Sequence, residues 1–284
     1  MKVLVLGATG YIGGAVVEEL ARRGHEVAVL VRPAADGGRR LPAVPDERYG
    51  DLADAASVVA AVTPDVDAVV HAALLTGDET VDLAVVGRLL DAGKPVVYVS
   101  GVWVLGATGD GHEESATEPI AIVGYRPKVE DLVLGAGGVV VRPGLVHGRG
   151  GGIPALLRGW AAERGNGVHV GEGGEGSAFV HVDDLAELVV TAVEKGRPGT
   201  VYHGVSEEHV PLAEVAAAAA RSAGVDGEVR VLPVAEAAQL VGLPFAEALA
   251  LSQRVSSART KAALGWAPSR PGIVSELLEG SYTR

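Results

Sequence analysis

The chain has 284 residues, a formal charge of −12, 40 glycines and no cysteine. Glycine at roughly twice its usual ~7% share, with no G-X-Y period and with 48% hydrophobic residues, excludes collagen and argues against a low-complexity coil. The missing cysteines remove disulfides, thiolate metal sites and thiol nucleophiles, and the acidic balance argues against nucleic acid or an anionic membrane as partner.

In chain order, Lys2–Leu6 reads as a strand, Gly13–Arg23 as a helix stopped by Gly24, and Val27–Val31 as a second strand. Asp54–Val62 has helical spacing, Ala68–His71 is a strand, and Glu79–Ala92 is a helix stopped by Gly93. Pro95–Ser100 and Val139–Arg142 add buried strands. Strands alternating with helices of this length predict βαβ units and a parallel sheet covered on both faces. Such sheets bind ligands at the carboxyl ends of their strands.

Beyond Arg142 the rhythm loosens. A helix is expected near Pro154–Arg164, between glycine-rich loops at His147–Gly152 and Gly171–Gly176. Further helices are expected at Asp183–Lys195, Leu212–Ala223 and, as one or two pieces, Val234–Leu251, with a strand at Thr200–Val205. The expected division is a sheet domain over 1–147, with 175–206 returning to it, and a smaller, mainly helical substrate cap from 148–174 and 207–284. The opening MKVLVLGATG is too soon broken by glycine for a signal peptide. The longest stretch without a charge or histidine, Pro95–Gly109, has 15 residues, short of a membrane span. A soluble, cytoplasmic protein is expected.

Between the first strand and first helix lies Gly7-Ala-Thr9-Gly10-Tyr11-Ile12-Gly13. Gly7 permits a tight turn, Gly10 lets the backbone approach a pyrophosphate, and Gly13 lets the helix pack close to the sheet. Helix-start amides then face the anion. After the second strand, where an NAD binder usually carries an acid, stands Arg32, with Arg39 and Arg40 nearby. An arginine there pairs with a 2′-phosphate, so NADP is preferred to NAD; the alternative is a solvated loop arginine.

The GxxGxxG spacing and TGYIG resemble the short-chain dehydrogenase/reductase superfamily, in its extended and atypical branches that include sugar-nucleotide epimerases and dehydratases. That resemblance implies a Rossmann-type doubly wound sheet. It also implies that Asp51-Leu52 contact the adenine and that His71-Ala72-Ala73 line the cofactor. The segment Val141-Arg-Pro143-Gly144-Leu145-Val146-His-Gly148 matches the strand beside the nicotinamide. Tyr98–Gly106, Phe179–Leu185 and Leu264–Pro268 match further signatures in the family's order. Helix-paired homodimers are frequent in the superfamily.

Superfamily redox chemistry uses a Tyr acid/base with a Lys four residues on, the cation helping tyrosinate form. Here the stretch runs Gly124-Tyr125-Arg126-Pro127-Lys128, so Gly124 holds the tyrosine's place and Tyr125 is out of register by one. Pro127 is expected to begin a helix after an extended Arg126. Tyr125 then either points into the cleft or covers apolar surface, and Lys128 either contacts a cofactor ribose or is solvated. Gly101 likewise holds the place of the usual catalytic Ser/Thr, with Ser100 one earlier, at a strand end, where its hydroxyl either contacts substrate or makes a structural hydrogen bond. Ser100, Tyr125 and Lys128 are the catalytic candidates.

His147 and His181 either act as acids or bases at a cleft or, as such histidines more often do, serve as satisfied structural donors, and Asp183-Asp184 are expected to cap the following helix. His112-Glu113-Glu114 do not converge as metal ligands, so no metal is expected. The leading expectation is an NADP-dependent oxidoreductase acting on a small carbonyl or alcohol. The alternatives are a redox-neutral isomerase, lyase or cyclase with bound nucleotide, or a non-catalytic NADP-binding sensor.

Overall fold

The computed structural model describes residues 1–32 and 46–283. Its first elements are β1 (Lys2–Leu6), α1 (Tyr11–Arg22), β2 (Glu26–Val31), β3 (Asp46–Tyr49), α2 (Ala55–Ala60), β4 (Ala68–His71), α3 (Glu79–Asp91) and β5 (Val96–Val99). There follow β6 (Thr108–Gly111), α4 (Arg126–Gly135), β7 (Val139–Pro143), β8 (Leu145–His147), α5 (Gly152–Arg164), β9 (Gly167–Val170), β10 (Gly176–His181), α6 (Val182–Lys195) and β11 (Thr200–Gly204). The chain closes with β12 (Glu207–Pro211), α7 (Leu212–Ser222), β13 (Val229–Leu232), α8 (Val234–Val241), α9 (Leu243–Leu249), β14 (Gln253–Val255), α10 (Ala258–Leu264) and α11 (Ile273–Glu279).

The Val- and Leu-rich runs β1, β4 and β5 are buried along nearly their whole length, as strands covered on both faces must be. They form the centre of a parallel seven-stranded sheet, order β11-β7-β5-β4-β1-β2-β3, flanked by helices. The strand order reverses at β1, which places the ligand crevice of this fold class at the carboxyl ends of β1 and β4. On one face Val58, Val85 and Leu89 pack on Leu4, Leu6 and Leu30. Just past α1, Arg23 donates to Glu194 and to the Glu187 carbonyl of α6. Local chemistry sets the helix limits: Asp78 caps α3 by accepting from the Thr80 and Val81 amides, a favourable satisfaction of helix-start donors.

The chain divides into two compact units, one of Met1–Ser100, Tyr125–Arg142 and Ala186–Tyr202, the other of Gly101–Gly124, Pro143–Leu185 and His203–Arg284. The expected boundary after 147 thus falls after Arg142, and the returning segment is shorter than 175–206. The physical reason is strand pairing within the second unit, where β10 joins β8 and β12 in a three-stranded sheet. Two more small sheets, β13-β9 and β14-β6, accompany its helices. Its core gathers Leu157, Trp160, Phe179, Leu212 and Ile273. Among the described residues no helix is long and apolar enough to cross a membrane.

Candidate cofactor and catalytic site

The first unit builds its ligand edge from backbone. Gly7 follows β1 at φ +82°, and a Cβ there would stand 2.5 Å from the Ala73 backbone. A Cβ on Gly13 would stand 2.1 Å from the Gly7 carbonyl oxygen, so only glycine lets α1 close onto the turn. The Gly10 amide donates to that same carbonyl at 2.9 Å. Thr9 and Gly10 are exposed, and α1 has no acid in its first turn. A helix start that is uncrowded and carries no neutralising carboxylate fits the pyrophosphate of a dinucleotide. Tyr11 and Ile12 are half-buried in that first turn.

The other expected cofactor residues of the unit stand at or just beyond the carboxyl ends of β2, β3 and β4. Arg32 is exposed at the end of β2, while Arg39 and Arg40 lie outside the described residues. Asp51 is exposed beyond β3, its carboxylate accepting from the Ala53 amide at 2.9 Å, and Leu52 packs on the core beneath α2. At the end of β4 the Ala72 amide donates to the Leu6 carbonyl at 3.0 Å, which carries the segment past the glycine turn. His71 is buried edge-on to Tyr98, with ring centroids 5.4 Å apart. Burial pushes its imidazole down to about 4, so it is neutral at physiological pH.

The three catalytic candidates all fall in this unit, and each side chain is engaged by a different carboxylate. Ser100, 6% exposed at the end of β5, donates its hydroxyl to Glu130. Glu130, on α4, is itself forked by Arg142 of β7, with Nε and Nη2 at 3.1 and 2.5 Å from Oε2. Tyr125 caps α4, and its hydroxyl donates to Asp82 of α3 at 2.5 Å. Burial and the Asp82 carboxylate push the phenol up to about 12. Lys128 meets a different carboxylate of α3, Glu79, at 2.5 Å on the surface. Arg126 is helical, not extended as expected: it is the first residue of α4, with Pro127 in the first turn, where the missing amide costs no bond.

In the second unit, Pro143 and Gly144 are buried, and the Gly144 amide donates to the Gly204 carbonyl at 3.0 Å. Leu145 and Val146 pair in register with Phe179 and Val180. A Cβ on Gly144 would stand 2.7 Å from the Ala178 carbonyl, so this glycine serves strand packing. His147 and His181, weighed as acid/base candidates or structural donors, stand at the ends of β8 and β10. Both are buried, and burial lowers both, His147 to about 3. Asp183 and Asp184 differ from expectation. Asp183 pairs with Arg149, while the Asp184 carboxylate accepts from the Ser269 and Arg270 amides, so Asp184 pins a distant turn. Glu113 accepts from the Thr260 amide and hydroxyl. Among the described residues no group of three or more His, Cys, Asp or Glu can hold a metal.

Asp82, Glu79 and Glu130 were not singled out from sequence. Glu130 had one available signal: Arg142 is a charge ending the apolar run Val139–Val141, and a buried arginine requires a carboxylate.

Residues 3–122 match the model of the NAD dependent epimerase/dehydratase family. A 3-diazoavenalumate denitrifying reductase from Streptomyces sp is 30% identical over 95% of this chain and 97% of its own. The crystal structure of human epimerase family protein SDR39U1 with NADPH superposes with a TM-score of 0.76, at 27% identity, covering 99% of both chains. A UDP-glucose 4-epimerase from Thermus thermophilus, in complex with NAD, shares the fold with a TM-score of 0.76 at 23% identity, over 100% of this chain and 98% of that one.

Proposed function

Because the chain belongs to the NAD dependent epimerase/dehydratase family, within the extended short-chain dehydrogenases/reductases, we propose that it is an NADP-dependent oxidoreductase of a small carbonyl or alcohol. The observation that carries this reading is the glycine turn, whose Gly7 and Gly13 admit no Cβ. A dinucleotide held there through its pyrophosphate would supply or accept a hydride at its nicotinamide. The α1 amides hold the pyrophosphate, and Arg32, exposed where an acid would repel a 2′-phosphate, favours NADP. Asp51 and Leu52 line the adenine end. Ser100 keeps its proton on Glu130, so its oxygen is left to accept a hydrogen bond from a substrate hydroxyl. The human relative's structure with NADPH supports this choice of cofactor.

A redox-neutral reaction is the second reading, favoured by one observation. Tyr125 and Lys128 are each tied to a separate carboxylate of α3, and a phenol raised to about 12 yields tyrosinate reluctantly at neutral pH. The test is incubation with stereospecifically deuterated NADPH and a panel of small aldehydes and ketones. The oxidoreductase reading expects deuterium in the alcohol product with matching loss of NADPH. Bound NADPH with neither label transfer nor net consumption across the panel would shift the assignment to the redox-neutral reading.

A further inference from the structure

Asp82 is 3% exposed and receives more than a tyrosine. Its Oδ1 accepts the Thr76 amide and hydroxyl, both at 3.0 Å. Its Oδ2 accepts the Gly77 amide at 3.3 Å and the Tyr125 hydroxyl at 2.5 Å. These donors fix the far end of the segment that leaves β4. At its near end, Ala73 packs over the core of Leu4 and Leu6 and lies directly against Gly7. Between them Leu75 joins the cluster of Tyr98, Val129 and the Tyr125 ring, while Leu74 is 84% exposed. The segment is therefore gripped at two points, the glycine turn and Asp82.

Resting on the nicotinamide reading and deepening it, we propose that Tyr125 is a positioning residue for the cofactor: through Asp82 it latches Ala72–Gly77 against the glycine turn. The phenol keeps its proton and donates it to a carboxylate, the strong form of hydrogen bond. Its role is then in the shape of the cofactor edge. A latch acts on affinity because only the fraction of molecules with the segment in place binds well, and apparent Kd rises as that fraction falls. An acid/base tyrosine acts on turnover and leaves cofactor affinity alone.

The experiment measures NADPH affinity of the full chain by calorimetry, together with amide exchange without nucleotide. Tyr125→Phe keeps the ring in its cluster and deletes only the hydroxyl. Loss of one charge-assisted hydrogen bond is expected to raise the NADPH Kd roughly tenfold. Exchange should quicken at Thr76 and Gly77 and stay unchanged elsewhere in the sheet. Asp82→Ala should weaken NADPH further, and combining it with Tyr125→Phe should add nothing, since both act through one contact. Should Asp82→Ala not fold, Asp82→Asn, which retains an oxygen for Thr76 but turns a donor NH2 towards Gly77 and Tyr125, is expected to weaken NADPH at least as much as Tyr125→Phe. Wild-type affinity with unchanged Thr76 and Gly77 exchange in Tyr125→Phe would overturn the latch, as would additive losses in the double variant. Failure of the unsubstituted chain to bind either NADPH or NADH would instead overturn the cofactor reading itself.

Discussion

The glycine turn after β1 and the start of α4 solve opposite problems within the same unit. The turn is built by leaving side chains out: Gly7, Gly10 and Gly13 clear the way for an anion and keep the helix amides near it. At α4 three polar side chains are engaged by others, Tyr125 with Asp82, Lys128 with Glu79, and Glu130 with Ser100 and Arg142. One region presents unfilled capacity to a ligand and the other closes its capacity internally. The difference teaches that one unit can build two regions on opposite principles, one by omitting side chains and the other by pairing them across to a neighbouring helix.

The largest expected effect breaks the closed region. Glu130 is 1% exposed and is the carboxylate that balances Arg142, itself 4% exposed. Removing one partner of a buried pair leaves an uncompensated charge, so Glu130→Ala should cost about 3–5 kcal/mol of stability. Replacing both, with Glu130→Leu and Arg142→Met, should recover most of that loss, because an apolar pair of similar volume needs no desolvated charge. Urea denaturation of the wild type, the single variants and the double variant checks it. Equal destabilisation by the single and double variants would show that the ion pair is not what the single variant breaks.

An intermediate effect sharpens the open region. Arg32 is exposed and stands where the nicotinamide reading needs a cation. Arg32→Ala should therefore leave the melting temperature in place while weakening NADPH by about 1.5–3 kcal/mol, the range of a hydrogen bond to a charged group, with little loss for NADH. Parallel titrations of the two nucleotides decide it. Equal losses for both would remove the 2′-phosphate contact and return the choice between NADP and NAD to the rest of the site.

How much of each region was legible follows from where its partners lie in the chain. The glycine turn constrains backbone within seven consecutive positions, so Gly7, Gly10 and Gly13 announce it locally. The strands β1, β4 and β5 were readable because burial on both faces demands unbroken apolar runs. Tyr125 and Lys128 were visible as a displaced pair, but their partners Asp82 and Glu79 are 43 and 49 residues earlier. No periodicity encodes such a meeting. The same holds for Asp184, whose local role as a helix cap was the natural expectation and whose donors are 85 and 86 residues away. The short strands β8 and β14, three residues each, carry no alternation long enough to read.

The smallest expected effect tests whether proximity to α3 is itself structural. Lys128 and Glu79 meet at 2.5 Å with side chains 61% and 42% exposed. Water screens a pair this open, and holding two long side chains in one geometry costs entropy, so exposed pairs contribute about 0–1 kcal/mol. Lys128→Met should thus shift the unfolding free energy by less than about 1 kcal/mol, and the shift should shrink further at high salt. Tyr125→Phe, at a half-buried hydroxyl bound to a nearly buried carboxylate, should cost more than Lys128→Met under the same conditions. If the lysine variant proved the more damaging of the two, the weight of the α3–α4 contact would lie on Lys128, and the division between a closed α4 region and an open glycine turn would have to be redrawn around that cation.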